Sequence, residues 1–233
     1  TLGLRLVKLT VNFDDPSTYH LYFGDEAGSP GTLLTFFPWP SAMRGQRGTG
    51  QVAATTFSVP EGALDYWENR LQQRGASVFE RQRRFDQVVL PFMDPDWMLL
   101  ELVARPAGND IAPWEGGGIP LDHAIRGFDS VTLWEKDTAP SLDLLTGTMG
   151  FKLVGEEGPR TRLQAASDGA GALVDLFHMP DGQRGRGGAG TVHHVAWRTP
   201  DDAEQLAWRQ DVASLGLRVT PVVDRQYFRS IYF

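Results

Sequence analysis

Leu2-Gly3-Leu4-Arg5-Leu6 and Leu215-Gly216-Leu217-Arg218-Val219 lie at opposite ends of the chain and are almost the same string. Arg74-Gly75-Ala76-Ser77-Val78 and Met149-Gly150-Phe151-Lys152-Leu153 share their shape. The four glycines are 72, 75 and 66 residues apart, and near-regular self-similarity of this kind marks a repeat architecture. Ahead of two of these glycines, Leu64, Trp67 and Leu71 recur at helical spacing within 61–74, as do Trp208, Val212 and Leu215 within 201–215. Each set predicts a helix with one buried face. Gly75, Gly150 and Gly216 then stand where a helix end needs a left-handed residue, a conformation that costs glycine little. A short strand is expected ahead of each helix, over 52–59, 130–134 and 192–199, and about three strands behind it, ending in the matched segments 32–37, 98–103 and 172–177.

The predicted fold class is therefore α+β, with four βαβββ modules in two tandem domains. The connector Arg44-Gly45-Gln46-Arg47-Gly48-Thr49-Gly50 joins units one and two, and the similar Arg184-Gly185-Arg186-Gly187-Gly188-Ala189-Gly190 joins units three and four. A different Gly/Pro-rich stretch separates the halves. This pattern predicts an N-terminal domain over 1–104, a linker over 105–120 and a C-terminal domain over 121–233. Unit one begins at the end of its helix and unit four stops before its closing strand, so the first and last modules are expected to be incomplete. The register places the missing strands before Thr1 and after Phe233.

With 22 Lys+Arg against 29 Asp+Glu the net charge is −7, and no run of basic residues occurs. Nucleic acid and anionic membrane surfaces are therefore not expected as partners, since both require a positive field. No apolar run is long enough to span a bilayer. The absence of Cys excludes thiolate metal sites, disulfides and Cys nucleophiles, and fits a cytoplasmic setting. A homo-oligomer is left open.

Of the five histidines, His193 and His194 stand out in Gly190-Thr191-Val192-His193-His194-Val195-Ala196-Trp197. Strand alternation is expected to send their rings to opposite faces, so that only one enters a given cavity. The repeat matches His194 with Ala54 and Ser130, so the scaffold does not itself require imidazole there. A pair of hydrogen-bonded structural histidines is the alternative. Glu101 and Asp175 occupy a repeated carboxylate position, but their own units offer Ala54 and Ser130 where a ligand His would stand. His20 is read as a strand residue, and His123 and His178 as lying at segment edges.

The pattern resembles the vicinal oxygen chelate superfamily of glyoxalases, bleomycin-resistance proteins and extradiol dioxygenases, and within it the hydroquinone and chlorohydroquinone ring-cleaving enzymes. The resemblance covers essentially the whole chain. Its most specific strings are Leu6-Val7-Lys8-Leu9-Thr10-Val11-Asn12-Phe13-Asp14-Asp15-Pro16, Tyr19-His20-Leu21-Tyr22-Phe23-Gly24-Asp25, Thr191 to Trp197, and Asp224-Arg225-Gln226-Tyr227-Phe228-Arg229-Ser230-Ile231-Tyr232-Phe233. It implies a small aromatic substrate, dioxygen, and Fe(II) as cofactor, with Mn(II) as an alternative. The metal would be held by a His from the first strand of unit one, a His from the first strand of unit four and a Glu from the last strand of unit four. Only the second is present, as His194; the other two are expected outside residues 1–233. The resemblance further implies catalytic roles for His193 as acid or base, Arg225 as a stabiliser of anionic oxygen, and Tyr232 as a hydroxyl donor. For Arg225 the alternative is an ion pair with Asp224 or a nearby acid, and for Tyr232 packing in the core. Two competing functions on this scaffold are a glyoxalase-type metal isomerase and a non-enzymatic binder of aromatic ligands.

Overall fold

The computed structural model describes residues 1–106 and 111–233. The part of the expected linker at 107–110 lies outside the described residues. In unit one, β1 (Arg5–Val11), β2 (Tyr19–Gly24) and β3 (Leu34–Phe36) form a three-stranded antiparallel sheet. Unit two contributes β4 (Gln51–Pro60), α1 (Leu64–Gln73), β5 (Ser77–Val78), β6 (Gln82–Arg84), β7 (Gln87–Met93) and β8 (Leu99–Arg105). Unit three contributes β9 (Phe128–Glu135), α2 (Ala139–Asp143) running into a π-helical turn at 144–148, then β10 (Lys152–Glu157), β11 (Arg160–Gln164) and β12 (Leu173–His178). In unit four, α3 (Asp202–Ser214) precedes the short pair β13 (Val223–Asp224) and β14 (Arg229–Ser230). Few helices and a large mixed sheet make this an α+β fold, as the repeat predicts.

The glycine register holds at the backbone. Gly3, Gly75, Gly150 and Gly216 have φ of 72°, 76°, 71° and 80°, the left-handed conformation that stops the helix and turns the chain. On α1, Leu64, Trp67 and Leu71 are buried as their spacing requires. They pack with Phe57, Val59, Leu90 and Leu102 in the larger of two core clusters. Burying each such side chain contributes about 1.5–3 kcal/mol. The Trp67 indole also donates to the His123 carbonyl at 2.7 Å, so its polar atom is satisfied. The helix α3 departs from expectation. Val212 is buried and Trp208 packs against the smaller cluster, but Leu215 is 54% exposed. Leu215 is already the residue after the helix, where the chain turns at Gly216 and leaves the apolar stripe. Asp201 caps α3 by accepting from the Glu204 amide at 2.8 Å.

Sheet pairing is where long-range structure decides. Nine strands form one sheet, with path β10-β11-β12-β9-β4-β8-β7-β5 and β6 alongside β7. Its centre is the antiparallel β4–β9 pair, flanked by the parallel pairs β4–β8 and β9–β12. Hydrogen bonding therefore joins unit two to unit three, across the stretch between the two halves. The connectors also meet: Gly45 donates to Ala189, Gln46 and Arg186 exchange amide-to-carbonyl bonds of 2.7 Å, and Thr49 and Gly185 bond to Gln183 and Thr49 respectively. A Cβ at Gly48 would overlap the Gln183 carbonyl, and one at Gly188 the Met43 carbonyl. Glycine is needed because two backbones approach one another, which ties the entry to unit two to the entry to unit four.

Candidate functional site

Unit one's sheet and unit four face each other around the residues singled out in the sequence. On β2, alternation places His20 and Tyr22 on one face, and the Tyr22 hydroxyl lies 2.9 Å from His20 Nδ1. The His20 ring packs between Tyr22 and Phe37, with centroids 4.1 Å from each. Phe37 stacks in turn on Trp39 at 5.1 Å, and His193 lies edge-on to Phe37 at 6.1 Å and tilted against Trp39 at 6.4 Å. Trp39 is held from below by its indole bond to Asp15 at 3.2 Å. Asp15 also accepts from Ser17 and Thr18, and these donors, Ser17 first, pull its carboxyl down to about 2.

Arg225 comes from the other side. It makes a two-pronged pair with Asp14, Nη1 to Oδ1 at 2.7 Å and Nη2 to Oδ2 at 2.9 Å, and Nη2 also donates to the Tyr232 hydroxyl at 3.3 Å. The hydrogen bonds that Arg225 donates to Asp14 hold the guanidinium pKa above its ordinary value and hold the Asp14 carboxyl below the usual carboxylate range. The pairing with an acid that the sequence left open thus involves Asp14, 211 residues away, rather than the adjacent Asp224. Tyr232 stands edge-on to His194 at 6.3 Å. Lys8 lies 2.9 Å from the Tyr227 ring centroid and 5.1 Å from that of Tyr22, closing one side of the group. His193, His194, Arg225 and Tyr232 are therefore gathered in one place.

One expectation is corrected. His193 and His194 do not diverge: their Nδ1 atoms are 2.9 Å apart, so both rings lie on the same side. Residues 192–199 form no strand among the described residues and have no ladder partner there. Without a neighbouring strand no pleat is imposed, and the alternation rule loses its physical basis. Tyr232 likewise follows β14 rather than lying within a strand.

The contact has consequences for protonation. One Nδ1 must carry the hydrogen and the other must accept it. Burial, and next the neighbouring His193, lower the His194 pKa, although the ring keeps substantial exposure and this desolvation is limited. His20 is pushed down to about 4, first by burial and then by His194 and Lys8. Both imidazoles are thus neutral near pH 7. Among the described residues His20 Nε2 is buried without a hydrogen-bond partner. The sequence reading passed over His20, Asp14, Phe37 and Trp39. The shared face of His20 and Tyr22 was a readable signal; the approach of Asp14 to Arg225 had none.

The corresponding carboxylates of units two and three are occupied otherwise. Glu101 is 1% exposed and is gripped by Arg84 at 2.6 and 2.7 Å and by the Thr56 hydroxyl at 2.8 Å. Asp175, also 1% exposed, receives Arg160 at 2.8 Å and both prongs of Arg162 at 2.7 and 2.8 Å. These acids are locked into buried ion pairs. Among the described residues no three His, Cys, Asp or Glu side chains gather as a metal-binding set. The described residues therefore offer His194 as one donor and do not complete a three-ligand site.

The model of the Glyoxalase/Bleomycin resistance protein/Dioxygenase superfamily matches residues 127–233. MhqO of Bacillus subtilis strain 168, provisionally named a ring-cleaving dioxygenase, is 49% identical over 232 residues, covering all of this chain and 73% of its own. The chlorohydroquinone/hydroquinone 1,2-dioxygenase of Sphingobium indicum is 36% identical over 240 residues, covering all of this chain and 74% of its own. A crystal structure of a provisionally named dioxygenase from Bacillus subtilis superposes with a TM-score of 0.93 at 48% identity, over all of this chain and 74% of that one. Glyoxalase I from Zea mays, at 16% identity and a TM-score of 0.55 over 80% of this chain and 64% of its own, shares the fold alone. On the identity and coverage of these relatives, the chain belongs to the glyoxalase/bleomycin resistance protein/dioxygenase superfamily.

Proposed function

We propose that the protein is a ring-cleaving dioxygenase acting on a hydroquinone- or catechol-like substrate, with Fe(II) as its metal. The observation that carries this reading is the meeting of His193, His194, Arg225 and Tyr232 beside the Phe37–Trp39 wall. Support from outside comes from a relative whose name specifies chlorohydroquinone and hydroquinone. A simple aromatic binder would need the wall but not an arginine clamped by a carboxylate at its edge.

In this reading the aromatic ring lies against Phe37 and Trp39. Arg225, held by Asp14, sets a fixed positive charge beside the place where substrate oxygen becomes anionic, so little reorganisation is needed when charge develops. The Tyr232 hydroxyl accepts from Arg225, which leaves its own hydrogen free to donate to a substrate oxygen. His193 serves as acid or base towards the phenolic hydrogen. Of the described residues, His194 is the one that would hold the metal, which would supply a Lewis-acid centre for substrate oxygen and dioxygen. If it binds through Nε2, its Nδ1 must carry the hydrogen and donate to His193 Nδ1. His193 would then carry its own hydrogen on Nε2 and serve as acid from that atom; to serve as base it would have to give up the Nδ1 contact with His194.

An oxygen electrode tests the proposal. Supplied with Fe(II), the protein should consume one dioxygen per hydroquinone, chlorohydroquinone or catechol and yield a ring-opened acid. Methylglyoxal with a thiol serves as the isomerase control. No oxygen uptake with any ring substrate, together with turnover in the thiol assay, would transfer the assignment to a glyoxalase-type isomerase.

A further inference from the structure

Lys8 carries a charge that the mechanism above does not use. On β1 it stands directly opposite Tyr22 of β2, so it shares the face that presents Tyr22 and His20. Its Nζ lies over the Tyr22 and Tyr227 rings, and among the described residues no hydrogen bond or ion pair reaches it. The side chain is half-buried, yet Nζ is not among the polar atoms sealed from solvent, so a bound molecule can reach it. Burial lowers the Lys8 pKa from its ordinary value: hydration has been lost and no acceptor replaces it. Arg225 differs, since Asp14 balances its charge. Lys8 is also offset along the sheet from the histidines. Thr10, two residues further on β1, faces His20, whose ring leads through Phe37 to His193. Two strand residues span about 6.7 Å, comparable with a benzene ring that carries an oxygen at each end. Burial first, then Tyr232 and Tyr227, raise the Tyr22 pKa, so Tyr22 lies beside Lys8 and within electrostatic reach of Tyr232.

We propose that Lys8 determines specificity at this site, its ammonium donating to a ring oxygen para to the one that Arg225 and Tyr232 receive. The inference rests on the ring-cleaving reading above and adds the group that recognises the second oxygen. In a 1,4-diol the two oxygens stand at opposite ends of the ring, so one meets Arg225 and Tyr232 while the other meets Lys8. In a 1,2-diol both oxygens stand at one end, and the ammonium remains without an acceptor. An uncompensated donor that the correct ligand satisfies and the wrong one leaves empty is a strong discriminator. The Tyr22 and Tyr227 rings hold the ammonium in place without consuming its hydrogens on an anion.

The test is isothermal titration calorimetry of the full-length, iron-loaded protein without oxygen, so that no ring is opened. Hydroquinone, phenol and catechol are titrated into the wild type and Lys8→Met. Met keeps the apolar stem between the two tyrosine rings and removes the donor. Wild type should bind hydroquinone more tightly than phenol by about tenfold, the effect of one hydrogen bond to a charged group. Lys8→Met should lose that advantage and keep wild-type affinity for phenol and catechol. Equal wild-type affinity for hydroquinone and phenol overturns the proposal, and this comparison needs no variant to fold. An unchanged hydroquinone advantage in Lys8→Met also overturns it, as does an equal loss for all three ligands, which would mark Lys8 as a support for Tyr22 and Tyr227. In each of these outcomes oxygen uptake with ring substrates would leave the dioxygenase reading standing. No binding of any of the three, with turnover in the thiol assay, would remove both.

Discussion

Asp175 offers a stringent test of how the repeated carboxylate position is used in unit three. Its two oxygens receive three guanidinium hydrogen bonds of 2.7–2.8 Å from Arg160 and Arg162, and all three side chains are under 10% exposed. Asp175→Asn keeps the shape and removes the charge, leaving two buried cations without their counter-ion. Breaking a buried pair from one side costs about 3–5 kcal/mol, because desolvated charge remains without compensation. Two cations losing one partner place the expected value towards the upper end. Part of the loss is offset by Arg160's bond to Thr132 at 3.0 Å and that of Arg162 to Gln87 at 2.9 Å. Urea unfolding followed by far-ultraviolet circular dichroism measures the change. Replacing all three residues by apolar ones of similar volume should recover most of it, since the penalty arises from the unpaired charge and not from the loss of the pair itself. A loss below about 1 kcal/mol in Asp175→Asn would refute this reasoning and show that the cluster behaves as a solvated surface pair.

Three further outcomes follow from the candidate site and the fold. In the full-length protein, His194→Ala should abolish iron retention measured by metal analysis after desalting, whereas His193→Ala, which removes only the partner of the Nδ1 contact, should leave iron bound and slow turnover; equal metal loss in both would reject the assignment of roles. Asp14→Asn should slow ring cleavage while changing thermal stability little, because Asp14 itself is exposed and such pairs contribute about 0–1 kcal/mol; parallel loss of activity and stability would mark Asp14 as merely structural. His20 has a folded pKa of about 4, below the ordinary ~6.5 of the unfolded chain, so the unfolded state binds more protons between these values. Stability should therefore be full above pH ~6.5 and fall as the pH drops towards 4, and His20→Phe should flatten that part of a urea-midpoint profile.

The sequence by itself determined what depends on neighbours along the chain. Gly3, Gly75, Gly150 and Gly216 were legible because left-handed backbone is a local demand that glycine meets at little cost. The buried stripe Leu64–Trp67–Leu71 was legible because helical periodicity alone puts those side chains on one face. The neighbourhood of His193, His194, Arg225 and Tyr232 was legible only through resemblance, since no spacing rule links residue 193 to residue 232. Tertiary structure decided the rest. Whether unit two pairs with unit one or unit three depends on which β-edges meet, and edges carry no identity in a single strand's pattern. Whether His193 and His194 diverge depends on a partner strand to impose the pleat, and with none along 192–199 among the described residues the two rings meet. Whether Glu101 and Asp175 are metal ligands or ion-pair anchors depends on Arg84, which reaches Glu101 from β6 across β7, and on Arg160 and Arg162, which reach Asp175 from the adjacent β11. Asp14 meets Arg225 for the same reason: a charge finds its counter-charge in space, and only the folded chain sets that distance.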